Sequence, residues 1–305
     1  MDVRTHAALL SDGRALDGSN GASSLEFCAV SVTTPKGRAA PVVFDSPHSG
    51  FEFPADFRPV ATRAEIRTTW DAYVDELCAD VTAAGATLVT ARFPRAYVDP
   101  NRAENDIDPE VLATPWPQPV ELTEYGRRGM GLIRRFAGPA VPMYDRQLSV
   151  AEVQARIASC HVPYRRALRD AIEAAWRQHG VVWHFNMHSM KSRGLGRSGG
   201  PDVVRPDVVV GDRNGTTAPR VLTEWVAAFF LQRGLRATIN DPHRGADIVR
   251  THGDPARQRY SVQIEINRAL YLDESTGGRN AGFGGIRRHL AQFAMAVREL
   301  TRAGA

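Results

Sequence analysis

Short β-prone apolar runs alternate with stretches of helical period along most of this chain, and that order constrains the fold more than any other feature. The runs are Leu25 to Thr33, Pro41 to Asp45, Ala86 to Phe93, Val181 to Met187, Asp207 to Gly211, Arg236 to Ile239 and Tyr260 to Ile266. Thr62-Arg-Ala-Glu65 reads as a capping box that opens a helix on Ile66, Trp70, Val74, Leu77 and Val81, ended by Gly85. Ser149-Val-Ala-Glu152 is a second capping box, opening a helical stretch that Pro163 kinks or divides before Gly180. Further helical patterns run from Pro219 to Gln232 and from Ile286 to Arg302. Strand-helix-strand alternation predicts an α/β fold, a mostly parallel mixed sheet flanked by helices. With 305 residues, 43% of them hydrophobic, a single domain over residues 25–305 is expected, preceded by a flexible segment at residues 1–24.

Composition removes several classes of function. Charged residues make up 24% of the chain, and no apolar run approaches the ~20 residues needed to span a bilayer, so no membrane partner is expected. The first 24 residues lack the apolar core of a secretory signal, which predicts a cytoplasmic protein. Cys28, Cys78 and Cys160 are widely spaced and form no CxxC pair, so they read as inert thiols. The net charge of +4 is spread along the chain rather than clustered, which argues against nucleic acid as a partner. Lysine occurs only at positions 36 and 191, yet several arginines follow predicted strands, where a carboxylate ligand would meet a bidentate fork.

The polar residues fall where an α/β sheet places its ligands, beyond the carboxyl ends of the strands. Val42 to Pro47 runs into His48, Leu88 to Phe93 into Arg95, and Val181 to Met187 into His188. Val208 to Val210 runs into Asp212 and Arg213, while Glu265 lies between Ile264 and Ile266. Five strand ends are thus expected to converge. Neutral imidazole is a common zinc ligand, and a hydrolytic zinc site typically has three protein ligands, so His48 and His188 are candidates, with Asp71, Asp99 or Asp45 as a third. His184 cannot join His188 on one ion, because four strand residues separate their Cα atoms by ~13 Å. Glu265 is either a general base or half of a buried ion pair with Arg102, Arg213 or Arg268. Two further motifs lack their context: Gly196-Arg-Ser-Gly-Gly200 matches a nucleophile elbow and Gly194-Leu-Gly-Arg-Ser-Gly199 a dinucleotide fingerprint, but neither joins a strand directly to a helix.

Seven ordered segments resemble the N-formylglutamate amidohydrolase family. They are Phe44-Asp-Ser-Pro-His-Ser-Gly50, Asp71-Ala-Tyr-Val-Asp-Glu-Leu77, Phe93-Pro-Arg-Ala-Tyr-Val-Asp-Pro-Asn-Arg102, Tyr144-Asp-Arg146, Asn186-Met-His-Ser-Met190, Gly211-Asp-Arg213 and Gln263-Ile-Glu-Ile-Asn-Arg-Ala-Leu-Tyr271. That family is similar to the zinc carboxypeptidases and the aspartoacylases, which implies a phosphorylase/hydrolase-like (zinc carboxypeptidase-like) core. The resemblance implies zinc held by His48 and His188, Glu265 as the base that activates water, Arg95 as the oxyanion-stabilising arginine and Asn101-Arg102 as a grip on a substrate carboxylate. The relatives carry H-x-x-E, but here Phe51 occupies the last position, so the carboxylate ligand is displaced and Asp71 is the choice. Arg213 is expected to bind the substrate's other carboxylate, with Arg193 as a lid contact. The implied reaction is zinc-dependent hydrolysis of a small acidic N-acyl amino acid, N-formyl-L-glutamate, to formate and L-glutamate, as in histidine degradation. Rival readings are another metal-dependent N-acyl-amino-acid or carboxypeptidase-like hydrolase, and a non-enzymatic carboxylate-binding protein.

Overall fold

The computed structural model describes residues 27–138, 140–195 and 202–302, and within them seven strands form one sheet. The strands are β1 (Val30–Thr33), β2 (Val42–Ser46), β3 (Thr87–Ala91), β4 (Val182–Met190), β5 (Val208–Gly211), β6 (Ala237–Ile239) and β7 (Arg259–Asn267). Their order across the sheet is β1-β3-β2-β4-β7-β5-β6. The inner strands β3, β2, β4 and β7 are parallel, β1 is antiparallel at one edge, and the pair β5/β6 runs against β7 at the other. The expected mostly parallel mixed sheet is therefore present. One of the five strand ends expected to converge arrives from the opposite direction: β5 is antiparallel to β7, with Gly211 opposite Gln263 and Val208 opposite Ile266. Four consecutive residues of valine and glycine carry no mark of strand direction. The N-terminal segment 1–24 and the Gly196–Gly200 motif lie outside the described residues.

Alternation along β4 and β7 divides the molecule into two layers. Trp183, Phe185 and Met187 on β4, and Val262, Ile264 and Ile266 on β7, join Phe44 in one apolar cluster. Helices α2 (Val74–Leu77), α5 (Arg220–Leu231) and α6 (Phe283–Arg302) cover that face with Leu77, Val226 and Phe293 among others. On the other face His184, Asn186 and His188 alternate with those apolar residues, and the parallel register sets Ser261, Gln263 and Glu265 beside them. Neighbours at one register position share a face, because side chains alternate with period two. Helices α3 (Val150–Arg156) and α4 (Val162–His179) and the segment between β3 and α3 cover that face around Val43, Val89, Tyr164 and Leu168. Burial on both faces explains why the inner strands are so apolar where they are not chemical.

Two helical expectations change in detail. The stretch from Thr62 to Gly85 is not one helix but α1 (Arg63–Arg67), α2 and a 3-10 turn at Ala79–Ala84. Asp71 falls in the break, where its N–H donates to the His48 carbonyl at 3.1 Å and Trp70 Nε1–H to the Ser49 carbonyl at 2.5 Å. Tyr73 completes the break with φ of 60°, a left-handed conformation that costs a non-glycine residue roughly 1–2 kcal/mol. Pro163 does divide its helix: a π turn at Ile157–His161 precedes α4, with the Val162 N–H reaching back to the Ile157 carbonyl. Proline cannot donate and its ring crowds the carbonyl four residues back, so the backbone opens by one residue.

Gly50 lets the chain leave β2 against its neighbour. A Cβ there would lie 2.4 Å from the Arg92 carbonyl carbon and 2.5 Å from the Phe93 oxygen, both backbone atoms. Gly50→Ala is therefore expected to destabilise the protein by about 1–3 kcal/mol, as overpacking does. It should also loosen metal retention through His48, two residues away. Thermal melting and metal analysis of one preparation check both, and an unchanged melting temperature would contradict the steric argument.

Candidate active site

Three side chains from three separate pieces of chain meet in front of the inner strands. His48 follows β2, Asp71 lies in the break between α1 and α2, and His188 is in β4, which continues through it to Met190 rather than ending before it. All three are buried, and one potential ligand atom from each lies within 4.8 Å of the other two. The convergent atoms are the histidine Nδ1 nitrogens and the Asp71 Oδ2 oxygen, at 3.4 Å from His48 and 3.0 Å from His188.

The surroundings leave those atoms available. His48 Nε2 sits 2.7 Å from Asp99 Oδ1, so it carries the proton, and the buried Nδ1 has no hydrogen-bond partner. A bare buried ring nitrogen beside a second imidazole and a carboxylate fits a divalent cation. His188 Nε2 is 2.8 Å from Asn186 Oδ1 and 3.1 Å from Asn101 Nδ2, an acceptor and a donor, so either tautomer finds a partner. Asn186 Nδ2 donates to both Asp45 oxygens, which turns its Oδ1 toward His188 and supports the tautomer with Nδ1 free. On Asp71, Oδ1 accepts a hydrogen bond from Arg268 Nη2 at 3.0 Å. Asp99 and Asp45 thus orient the two histidines rather than converge with them, and His184 stands behind the site between Ser261 and Asp45.

Electrostatics agree with this division. Burial pushes the His48 pKa down and the Arg95 charge adds to it, outweighing Asp99 and Asp71, so this imidazole is neutral near pH 7. Burial alone would raise the Asp71 carboxyl, but the two imidazoles beside it, His188 first and then His48, hold it well below the usual carboxylate range. For His188 burial is opposed by Asp71 and Glu265, which leave its pKa raised. The same anionic neighbours that hold a proton on His188 would hold a metal cation in its place.

Glu265 is next to His188 on the neighbouring strand and is mostly buried. Gln263 Nε2 donates to its Oε1 at 2.8 Å, and Gln263 is itself fixed by the Ala246 N–H on its Oε1. Among the described residues Glu265 forms no ion pair. The arginines considered as its partners are engaged elsewhere: Arg102 lies 3.9 Å from Asp106, Arg268 pairs with Asp71, and Arg213 donates to the Gly245 carbonyl.

The triad and Glu265 open into a cavity of about 1260 Å³, whose wall also includes Arg95, Asn101, Arg102 and Arg213. Arg95 donates through Nε and Nη2 to Asp99 Oδ2, at 3.1 and 2.7 Å, and so is coupled to His48 through one carboxylate. Both ends of the Asn101 amide are engaged, Oδ1 by the Ile248 N–H and Nδ2 at His188. Arg213 reaches the wall from a turn in which it and Asn214 have φ of 53° and 60°. Arg193 does not line this cavity: it is exposed and pairs with Asp202 across the hairpin Arg193–Leu195/Asp202–Val204. His243 does line it. Sequence reasoning passed over Asn186, Gln263 and the role of Arg268, although the period-two polar alternation in Val182–Met190 and Arg259–Asn267 marks the first two.

A model of the N-formylglutamate amidohydrolase family matches residues 40–272. The chain belongs to this family. Among solved structures it is similar to an N-formylglutamate amidohydrolase from Ralstonia eutropha JMP134, at 41% identity and TM-score 0.88, over 92% of this chain and 100% of that one. Two curated proteins called N-formylglutamate deformylase, from Pseudomonas putida and Pseudomonas aeruginosa, are each 25% identical over 77% of this chain and 83% of their own length. A gene product from Agrobacterium tumefaciens, 19% identical over 92% of this chain and 96% of its own, shares the fold with TM-score 0.63. As a member of an amidohydrolase family the chain is a hydrolase, and among its described residues no helix is long and apolar enough to cross a membrane.

A metal-binding role for the triad carries two expectations. Purified protein should hold about one metal ion per chain, and His188→Ala should remove it. Asn186→Leu leaves all three ligands in place but takes the acceptor from His188 Nε2, so affinity should fall roughly 10- to 100-fold. Competition with a graded chelator reads both, and wild-type retention by the His188 variant would dismiss the triad as a metal site.

Proposed function

We propose that this protein is a zinc-dependent deformylase that hydrolyses N-formyl-L-glutamate to formate and L-glutamate, the step in histidine degradation that the family resemblance implies. The observation that carries this reading is the register of β4 and β7, which sets Glu265 beside His188 at the mouth of a His-Asp-His cluster. The donor set of two imidazoles and one carboxylate fits zinc in its hydrolytic form. Zinc, when bound, supplies Lewis-acid polarisation of an amide carbonyl and lowers the pKa of water.

The chain's own residues supply the rest. Glu265, oriented by Gln263, is placed to accept a proton from the attacking water as its oxygen bonds to the formyl carbon. The same carboxyl then gives that proton to the amine nitrogen as the C–N bond breaks, releasing formate and glutamate. Arg95 faces the cavity with its charge anchored by Asp99, a position suited to the negative charge that develops on the carbonyl oxygen. Arg102 lies nearby in the wall, held by the carbonyls of Met130 and Asn101, and is assigned to the substrate α-carboxylate. Arg213 lines the same cavity as a further cation.

Glu265→Gln tests the assignment of the base. The amide keeps the size and the hydrogen bonding but cannot take the proton, so kcat should fall by roughly 10²–10⁴-fold. Zinc content and melting temperature should stay near wild type, since no ion pair is broken. Near-normal kcat would eliminate Glu265 as the base. Turnover of formyl-, acetyl- and succinyl-glutamate by wild type then ranks the acyl group, and a clear preference for acetyl or succinyl would replace the deformylase reading with a related acylase.

A further inference from the structure

The wall of the catalytic cavity contains an arginine that no role above uses. Arg134 lines the cavity, its Nε is shut off from solvent, and it makes no side-chain hydrogen bond or ion pair among the described residues. Its cationic neighbours differ in this respect. Arg95 has Asp99, Arg268 has Asp71, and Arg102 has two carbonyls with Asp106 behind them. Burial, and then the charge of Arg95, push the Arg134 pKa down to about 9, so at neutral pH it remains a cation without a counter-ion. A partly desolvated charge left unpaired is unfavourable unless an anion arrives to meet it.

Local structure holds Arg134 where such an anion would arrive. Met130 and Arg134 form an antiparallel bridge across a tight turn, and the Met130 carbonyl also accepts from Arg102 Nε. The turn is fastened to buried Asp106, whose backbone oxygen accepts from the Leu132 N–H at 2.7 Å and whose side chain accepts from Thr123 N–H and Oγ1. Gly131 comes so close that a Cβ would lie 2.3 Å from that backbone oxygen, and Gly126 would meet the Asp106 carboxylate at 2.1 Å. The Leu132 carbonyl accepts from the Asp99 N–H, tying the turn to the carboxylate that anchors Arg95 and His48. Arg102 and Arg134 therefore stand on one rigid mount.

We infer that Arg134 binds the side-chain carboxylate of an acidic N-acyl amino acid, while Arg102 takes the α-carboxylate, so that Arg134 sets the preference for dianionic over monoanionic substrates. This rests on the proposed deformylase reading and specifies its substrate class. The pair of substrates that isolates it is N-formyl-L-glutamate and N-formyl-L-glutamine, alike in length and differing in the charge of the side chain.

Arg134→Met keeps the aliphatic stem and removes the fork. Its kcat/KM for N-formyl-L-glutamate should fall roughly 10- to 100-fold, the worth of a charge-assisted hydrogen bond, while that for N-formyl-L-glutamine stays within about threefold of wild type. The product gives a second readout without turnover: L-glutamate should raise the melting temperature of wild type more than L-glutamine does, and Arg134→Met should abolish the difference. If the methionine variant does not fold, Arg134→Lys keeps the charge without the planar fork and should show the same selective loss in smaller degree. Equal losses on both substrates, or no loss on N-formyl-L-glutamate, overturn the inference. A wild-type enzyme that turns over neither substrate defeats the deformylase reading itself, whereas turnover that does not distinguish the two, or a wild-type preference that survives in both variants, defeats only the role of Arg134.

Discussion

The Asp45 carboxylate, fully buried at the end of β2, is the interaction on which the rest of the site depends. It accepts hydrogen bonds from Tyr164 on α4 at 2.6 Å, from His184 Nε2 at 2.8 Å, and from Asn186 Nδ2 at 2.9 and 3.0 Å. Burial works against its charge, but His184 leads the partners that hold its pKa below the ordinary value. Removing one partner from a buried charge of this kind is costly, typically ~3–5 kcal/mol. Through Asn186 the carboxylate also decides which way an amide faces His188. One residue thus joins a helix to two strands and orients the amide that His188 meets, so the stability of this layer and the geometry of the site cannot be separated.

Much of this was legible in the sequence, and the residues that were not have physical reasons. The inner strands announce themselves because burial on both faces demands nearly continuous apolar residues. His48, Asp71 and His188, expected as one metal site with Glu265 as its base, are brought together by the structure. The apolar spacing from Ile66 to Val81 predicts an unbroken helix through Asp71, and what interrupts it is tertiary, the bonds from Asp71 and Trp70 to the chain beyond β2. The direction of β5 was equally hidden, because hydrophobic runs record burial and not polarity of the chain. Arg193 looked available to substrate only because a sequence does not display the Asp202 across its hairpin.

The long segment between β3 and α3 shows a different relation between sequence and role. It is rich in Pro and Gly, yet its interior is well packed: Ile107, Leu132 and Ile133 are buried, and Asp106 lies against Gly126 and Gly131. It forms a wall in which a neighbouring carboxylate holds Arg95 and backbone carbonyls hold Arg102. Conformational entropy is spent when the wall folds rather than when a ligand binds, which is how a loop acquires the precision usually associated with strands and helices.

The order of the strands has a consequence outside catalysis. The two nine-residue strands, β4 and β7, lie inside the sheet, while its edges are β1 with four residues and β6 with three. An edge strand offers its unpaired N–H and C=O groups as a template for another chain, and its length sets how much can be templated. Here the segments most able to build an extended β ladder are paired on both sides, and what remains open is too short to recruit a foreign strand. The arrangement that places His188 and Glu265 side by side therefore also protects the folded protein from edge-to-edge aggregation.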